Sequence, residues 1–166
     1  IYVNHTPEIP WDFQTGEYSH LVIFPENANI LINETSISVG DFIGVFYIED
    51  GQEYCAGFTY WTGGNTSLSI WGSSDGGNMP VGTSFEFKIW DSENAVAYPA
   101  LANYTISGPY TDGEFTPNGF SQINTLTANS VTNLSLDQII SPVNSCGMGL
   151  SQVTFQITNL GNSDVY

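Results

Sequence analysis

Residues 42–61 read FIGVFYIEDGQEYCAGFTYW. A run of β-branched and aromatic residues meets Asp50–Gly51, and a second such run returns to Trp61. Asp–Gly between two apolar runs is a strong short-range hairpin signal, because a type I′ turn needs positive φ at both central residues. The stretch therefore predicts two antiparallel strands, over 42–49 and 53–61. Gly44, inside the first run, predicts either a bulge or a place where something packs close to the backbone.

The same pattern extends in both directions. HLVIF (20–24), NILIN (29–33), TSLSIWG (66–72), SFEFKIWD (84–91), ANYTISG (102–108) and FSQINTLTA (120–128) are short apolar or alternating runs. Turn-forming clusters such as ENAN, TGGN, SSDGG, SENA and TPNG separate them. Alternation places Leu68 and Ile70 on one face and Ser67, Ser69 and Trp71 on the other. Likewise Phe85, Phe87 and Ile89 oppose Glu86, Lys88 and Trp90. No segment carries the i, i+3, i+4, i+7 spacing of an amphipathic helix. The prediction is an all-β fold, an antiparallel β-sandwich of jelly-roll or Ig-like type, over residues 1–127.

A polar connector, 128–133, leads to strands predicted at 134–141 and 151–159, with a turn from Pro142 to Gly149. Two strands do not make an independent core. Residues 134–166 are thus expected to be the first strands of an incomplete Ig-like domain. That domain would be either truncated or completed by a strand from another chain, as in donor-strand addition.

Seventeen acids face a single base, Lys88, for a formal net charge of −16. Nucleic acid and anionic membrane surfaces are poor partners for a chain with one cation. No run of about 18 apolar residues appears, the length a membrane-spanning helix needs, so no membrane insertion is expected. No signal-peptide pattern is seen and residue 1 is Ile, which suggests a mature or excised piece. An acidic surface keeps copies apart and attracts Na⁺ or Ca²⁺, which suits an extracellular or cell-surface location.

Few residues point to chemistry. His5 and His20 are the only histidines; His20 lies in a strand signal with no Ser-His-Asp spacing around it, so a structural role is expected. Carboxylate pairs such as Glu49/Asp50 and Asp91/Glu93 give no basis for choosing two acids across a cleft. No enzymatic activity is expected. Asp50, Asp75 and Asp112 each precede glycine, the signature of turns. Asp75, Asp112 and Glu114 are the candidate ligands should a Ca²⁺ ion bind, without EF-hand spacing; no other cofactor is expected. Trp61, Trp71, Trp90 and Tyr60, with Asn65 nearby, are candidate glycan contacts, since exposed rings stack on sugars. The competing reading puts the same rings in a packed second face. Five Asn-x-Ser/Thr sequons, at Asn4, Asn33, Asn65, Asn103 and Asn133, read as turn composition. Cys55 and Cys146 are the only cysteines; they fall in different predicted domains and their pairing stays open.

From VGDFIGVFYIEDGQEYCAGFTYWTGGNTSLSIWG through SFEFKIWD, the chain resembles a repeat module of large secreted Bacteroidetes proteins. The resemblance covers about residues 11–127. LSLDQIISPVNSCGMGLSQVTFQITNLGN resembles the first two strands of an Ig-like repeat of the CARDB type. Proteins built from such modules are exported by the type IX system and displayed as adhesins or surface appendages. The resemblance implies a non-catalytic structural or adhesive module of a surface protein or filament. Its partners would be neighbouring domains, copies of the same protein, or surface glycans. It also implies that the partner of Cys146 would lie later in its own domain, and residues 147–166 hold no cysteine. The alternative is a carbohydrate-binding module of a secreted polysaccharide-degrading enzyme.

Overall fold

The computed structural model describes residues 11–74, 76–111, 113–130, 134–141 and 154–159. The chain divides into two compact units, Ile1–Asn129 and Ser130–Tyr166. Every regular element among the described residues is a β-strand. In the first unit these are β1 (Tyr18–Phe24), β2 (Asn29–Ile32), β3 (Thr35–Ser36), β4 (Phe42–Glu49), β5 (Gln52–Tyr60) and β6 (Thr66–Ser73). They continue with β7 (Met79–Pro80), β8 (Glu86–Asp91), β9 (Val96–Tyr104), β10 (Tyr110–Thr111) and β11 (Phe120–Ala128).

The β4–β5 hairpin forms as the sequence predicts. Asp50 and Gly51 have φ of 51° and 77°, and Glu49 pairs with Gln52 across the turn. The ladder shifts register where Val45 pairs with Gly57 and Phe46 with Cys55, which leaves Ala56 as the extra residue. The bulge therefore lies opposite Phe46, and Gly44 turns out to be the close-packing site.

Strand order is β5-β4-β8-β9-β11-β1-β6-β7, with β10 beside β11, and β2 between β11 and β3. β11 belongs to two layers. Its first residues pair in parallel with β1 (Leu21↔Phe120, Ile23↔Gln122). From Ile123 on it pairs antiparallel with β9, with a register shift between Ile123 and Thr125, and from Thr125 parallel with β2. The fold is thus an all-β sandwich-like sheet that curls almost into a barrel, and it is mixed rather than wholly antiparallel. Period-two alternation is the same for either direction of pairing, so the sequence could not separate them.

The curl closes where β5 meets β6. A Cβ added to Gly57 would sit 2.2 Å from the Ser69 carbonyl oxygen, so only glycine lets the two backbones approach this closely. Inside lie Val22, Phe24, Ile43, Val45, Leu68, Ile70, Ile89, Ile123 and Leu126, all essentially inaccessible. Each such side chain contributes about 1.5–3 kcal/mol by leaving water.

The second unit contributes β12 (Leu134–Ser141) and β13 (Thr154–Asn159), an antiparallel pair with Leu136 opposite Ile157. Leu136, Phe155 and Ile157 are exposed. The expected start of the last strand, residues 151–153, lies outside the described residues.

Candidate functional site

The hairpin residues that point away from the core build a second apolar surface. On β4 the alternation sends Ile43, Val45 and Tyr47 inward. Phe42, Gly44 and Phe46 therefore face out, flanked by Tyr60 and Phe58 on β5 and by Trp90 and Lys88 on β8. Trp11 lies across this face. A Cβ on Gly44 would meet Trp11 ring carbons at 2.8–2.9 Å, so the missing side chain is what lets the indole lie down. Trp11 packs edge-on against Phe46 (5.1 Å between ring centres), Trp90 (6.3 Å) and Phe58 (6.4 Å). Phe42 touches Phe58 and Tyr60 in the same way. Lys88 holds its ammonium 4.7 Å from the centre of the Phe46 ring and pairs with Glu53.

The five residues proposed as glycan contacts are therefore dispersed. Tyr60 and Trp90 share the outer face with Trp11. Trp90 is committed to edge-to-face packing rather than lying flat toward solvent. Trp71 points out from β6, which three strands separate from β8 along the sheet order. Trp61 is only 7% exposed, because it follows β5 where the chain turns back over the core. Asn65 is exposed, and its Oδ1 accepts the Glu26 backbone N–H at 3.0 Å.

Trp61 lines one hollow, and Asn65 touches its rim only through the Glu26 backbone N–H. A cavity of about 240 Å³ opens between the β2–β3 hairpin and the turn after Trp61. Ile30, Ile37, Ala28 and Trp61 supply apolar wall, and Glu26 and Asn29 supply polar rim. Nothing local in the sequence marks Glu26 and Asn29, since they lie more than 30 residues before Trp61.

Of the three candidate calcium ligands only Glu114 falls among the described residues. Glu114 is exposed and sits in an isolated bridge to Ser84; Asp75 and Asp112 lie outside the described residues. Among the described residues no three His, Cys, Asp or Glu side chains are grouped to hold a metal ion. Asp41 and Asp91 line a second cavity, of about 320 Å³, but their oxygens are occupied. Asp41 accepts the N–H groups of Ser38 and Ser92 at 2.8 and 2.9 Å. Asp91 accepts those of Glu93 and Asn94, both at 3.0 Å. These carboxylates fasten turns.

His20 is wholly buried. Its Nδ1 accepts the Thr116 N–H at 3.1 Å, and Nε2 lies 3.0 Å from the Ser121 hydroxyl. Phe85 stands edge-on to the ring at 5.0 Å. Burial lowers its pKa below 6.5, opposed by the Thr116 carbonyl oxygen, which lies 3.2 Å from Nδ1 and would favour a proton there. This is a neutral imidazole closing a polar hole in the core. His5 lies outside the described residues.

Cys55 is a free thiol. Burial pushes its pKa up to about 11, which leaves almost no thiolate at neutral pH. It lines a cavity of about 280 Å³ with Asp12, Phe13, Tyr47 and Tyr54. Cys146 lies outside the described residues.

Comparison of the chain with protein-family models, with characterised proteins and with solved structures finds no match in any of the three.

Proposed function

We propose that the chain is a non-catalytic structural and adhesive module of a large extracellular surface protein. The observation that carries this reading is the outer face of the β4–β5 hairpin. Its aromatic residues are packed against one another and under Trp11, so they stiffen the sheet. Such a use of aromatic area, about 0.5–1.5 kcal/mol per pair beyond burial, suits a unit that keeps its shape in a surface layer. The resemblance of residues 11–127 to secreted repeat modules points the same way, as does a surface carrying −16.

The polysaccharide-chain reading draws less support. Gripping a chain takes a row of rings lying open along one face. Trp90 is instead packed edge-on against Trp11. Antibodies raised against the purified 166-residue chain test the proposal on intact cells. Labelling of the cell exterior along extended assemblies is expected, and it is abolished by mild external protease. Signal confined to the cell interior overturns it. Titration with a panel of soluble polysaccharides is expected to give no fluorescence change that depends on Trp71 or Trp90. A saturable change lost in Trp71→Ala or Trp90→Ala replaces this reading with the carbohydrate-binding module.

A further inference from the structure

We infer that the cavity beside Trp61 is a binding site for one neutral, hydroxyl-rich ring, the terminal monosaccharide of a glycan. The inference stands on the cavity alone and not on the reading of the chain as a surface module.

The first observation is the state of the indole. Trp61 is more than nine-tenths buried. Its Nε1–H donates to no acceptor among the described residues. Yet no buried side-chain nitrogen or oxygen of the described residues lacks a hydrogen-bond partner. The N–H is therefore not an orphan in the core; it belongs to the small part of the ring that still reaches solvent. Trp61 lines one well-defined hollow, the cavity between the β2–β3 hairpin and the turn that follows β5. A buried indole with a free donor at a cavity wall offers one hydrogen bond and a flat apolar surface together, which a sugar ring can use at once.

The second observation is that the walls are fixed in advance. Trp61 donates its backbone N–H to the Asp41 carbonyl at 2.8 Å and accepts from Gly40 at 3.2 Å. The Thr62 and Thr66 hydroxyls lie 2.9 Å apart, and Thr66 also caps the Gly64 carbonyl at 3.0 Å. Asn65 holds the Glu26 loop against this turn, and Ala28 N–H closes that loop on Pro25 at 2.9 Å. A site whose walls are already ordered loses little entropy when it is filled.

Size and charge narrow the ligand. A volume of about 240 Å³ falls below the roughly 300–1,000 Å³ of pockets for drug-sized molecules. It suits one ring and not a chain. Glu26 stands on the rim, in a protein of net charge −16. An anionic sugar is repelled, whereas the hydroxyls of a neutral one can donate to Glu26 and Asn29.

The test uses the 166-residue chain labelled with ¹⁵N. The methyl glycosides of glucose, galactose, mannose and N-acetylglucosamine are titrated separately to about 50 mM, a range that reaches millimolar affinities. Loss of one cross-peak in Trp61→Phe assigns the Trp61 indole N–H. At least one neutral glycoside is expected to shift that peak saturably. Asn29→Ala and Glu26→Gln, both at exposed positions, are expected to weaken binding by about tenfold, one hydrogen bond's worth, with an unchanged melting temperature. Methyl glucuronide is expected to leave the peak in place. No shift with any neutral glycoside overturns the inference. So does binding that both variants leave intact, or a preference for the glucuronide.

Discussion

Gly44 is bare so that Trp11 can lie on the sheet. Replacing it with alanine puts a methyl group 2.8–2.9 Å from the indole and from the Phe46 ring. Gly44→Ala is expected to cost about 1–3 kcal/mol, the range for overpacking a filled site. Because two of the three nearest atoms belong to Trp11, Trp11→Ala made on top of it should cost less than it does in the wild type. A double-mutant cycle from urea melts measures the difference; simple additivity would disprove this account of Gly44. His20 makes a second prediction, with a sign. Its folded pKa lies below its unfolded value of 6.5. Between those two values the unfolded chain holds a proton that the folded chain does not. Stability from this group is complete above about pH 7 and falls as pH drops through 6.5, by at most about 1.4 kcal/mol per unit. Urea midpoints from about pH 7.5 to 5.5 should show that slope, and His20→Gln should flatten it. Both residues were visible in the sequence, Gly44 as one of two alternatives and His20 as a structural histidine. What each one touches was not, since Trp11 and Thr116 arrive from distant parts of the chain.

At the level of elements, the two-residue turn at Asp50–Gly51 makes the cleanest prediction. Both residues sit in the left-handed region, where a side chain beyond glycine costs about 1 kcal/mol unless it is Asn or Asp. Gly51→Ala should destabilise by about that much, and Asp50→Asn should stay within a few tenths, as read from denaturant midpoints. Strands with clean alternation and clear punctuation were legible to the residue: Phe42–Glu49, Phe120–Ala128 and Leu134–Ser141. The strand expected at 102–108 instead spans Val96–Tyr104. Asn94, Ala95 and Pro99 read as breakers there. Pro99 is accommodated because it lies one residue beyond the last β9–β11 pair, Ala100↔Ala128, where β9 has a neighbour on one side only. The two-residue strands β3, β7 and β10 carry no period at all. They exist because longer strands lie beside them.

On the scale of the whole molecule, charge is the dominant property. Seventeen acids against one base repel one another over any compact surface, and the one ion pair among the described residues, Lys88–Glu53, is partly exposed and worth at most about 1 kcal/mol. Salt screens such repulsion within roughly 10 Å at 0.1 M. Raising NaCl from about 0.01 to 0.5 M is expected to raise the melting temperature by several degrees; a calorimetric scan showing a fall would mean that attractive pairs dominate. The candidate site was only half legible for a reason of the same scale. Trp61 and Asn65 stood out by residue type. Glu26 and Asn29 look like ordinary turn residues until the β1–β2 turn and the start of β2 bring them to the cavity that Trp61 also lines.

The meeting of β5 and β6 at Gly57 has a further consequence. A sheet that stops short of closing offers a row of unsatisfied amides to any extended peptide that drifts past, and that is how β-proteins nucleate fibres. Here β5 and β6 come backbone to backbone at Gly57 and Ser69, which narrows the gap a foreign strand would need at that point. A residue larger than glycine at position 57 would push the two strands apart and open that edge to a strand from another copy.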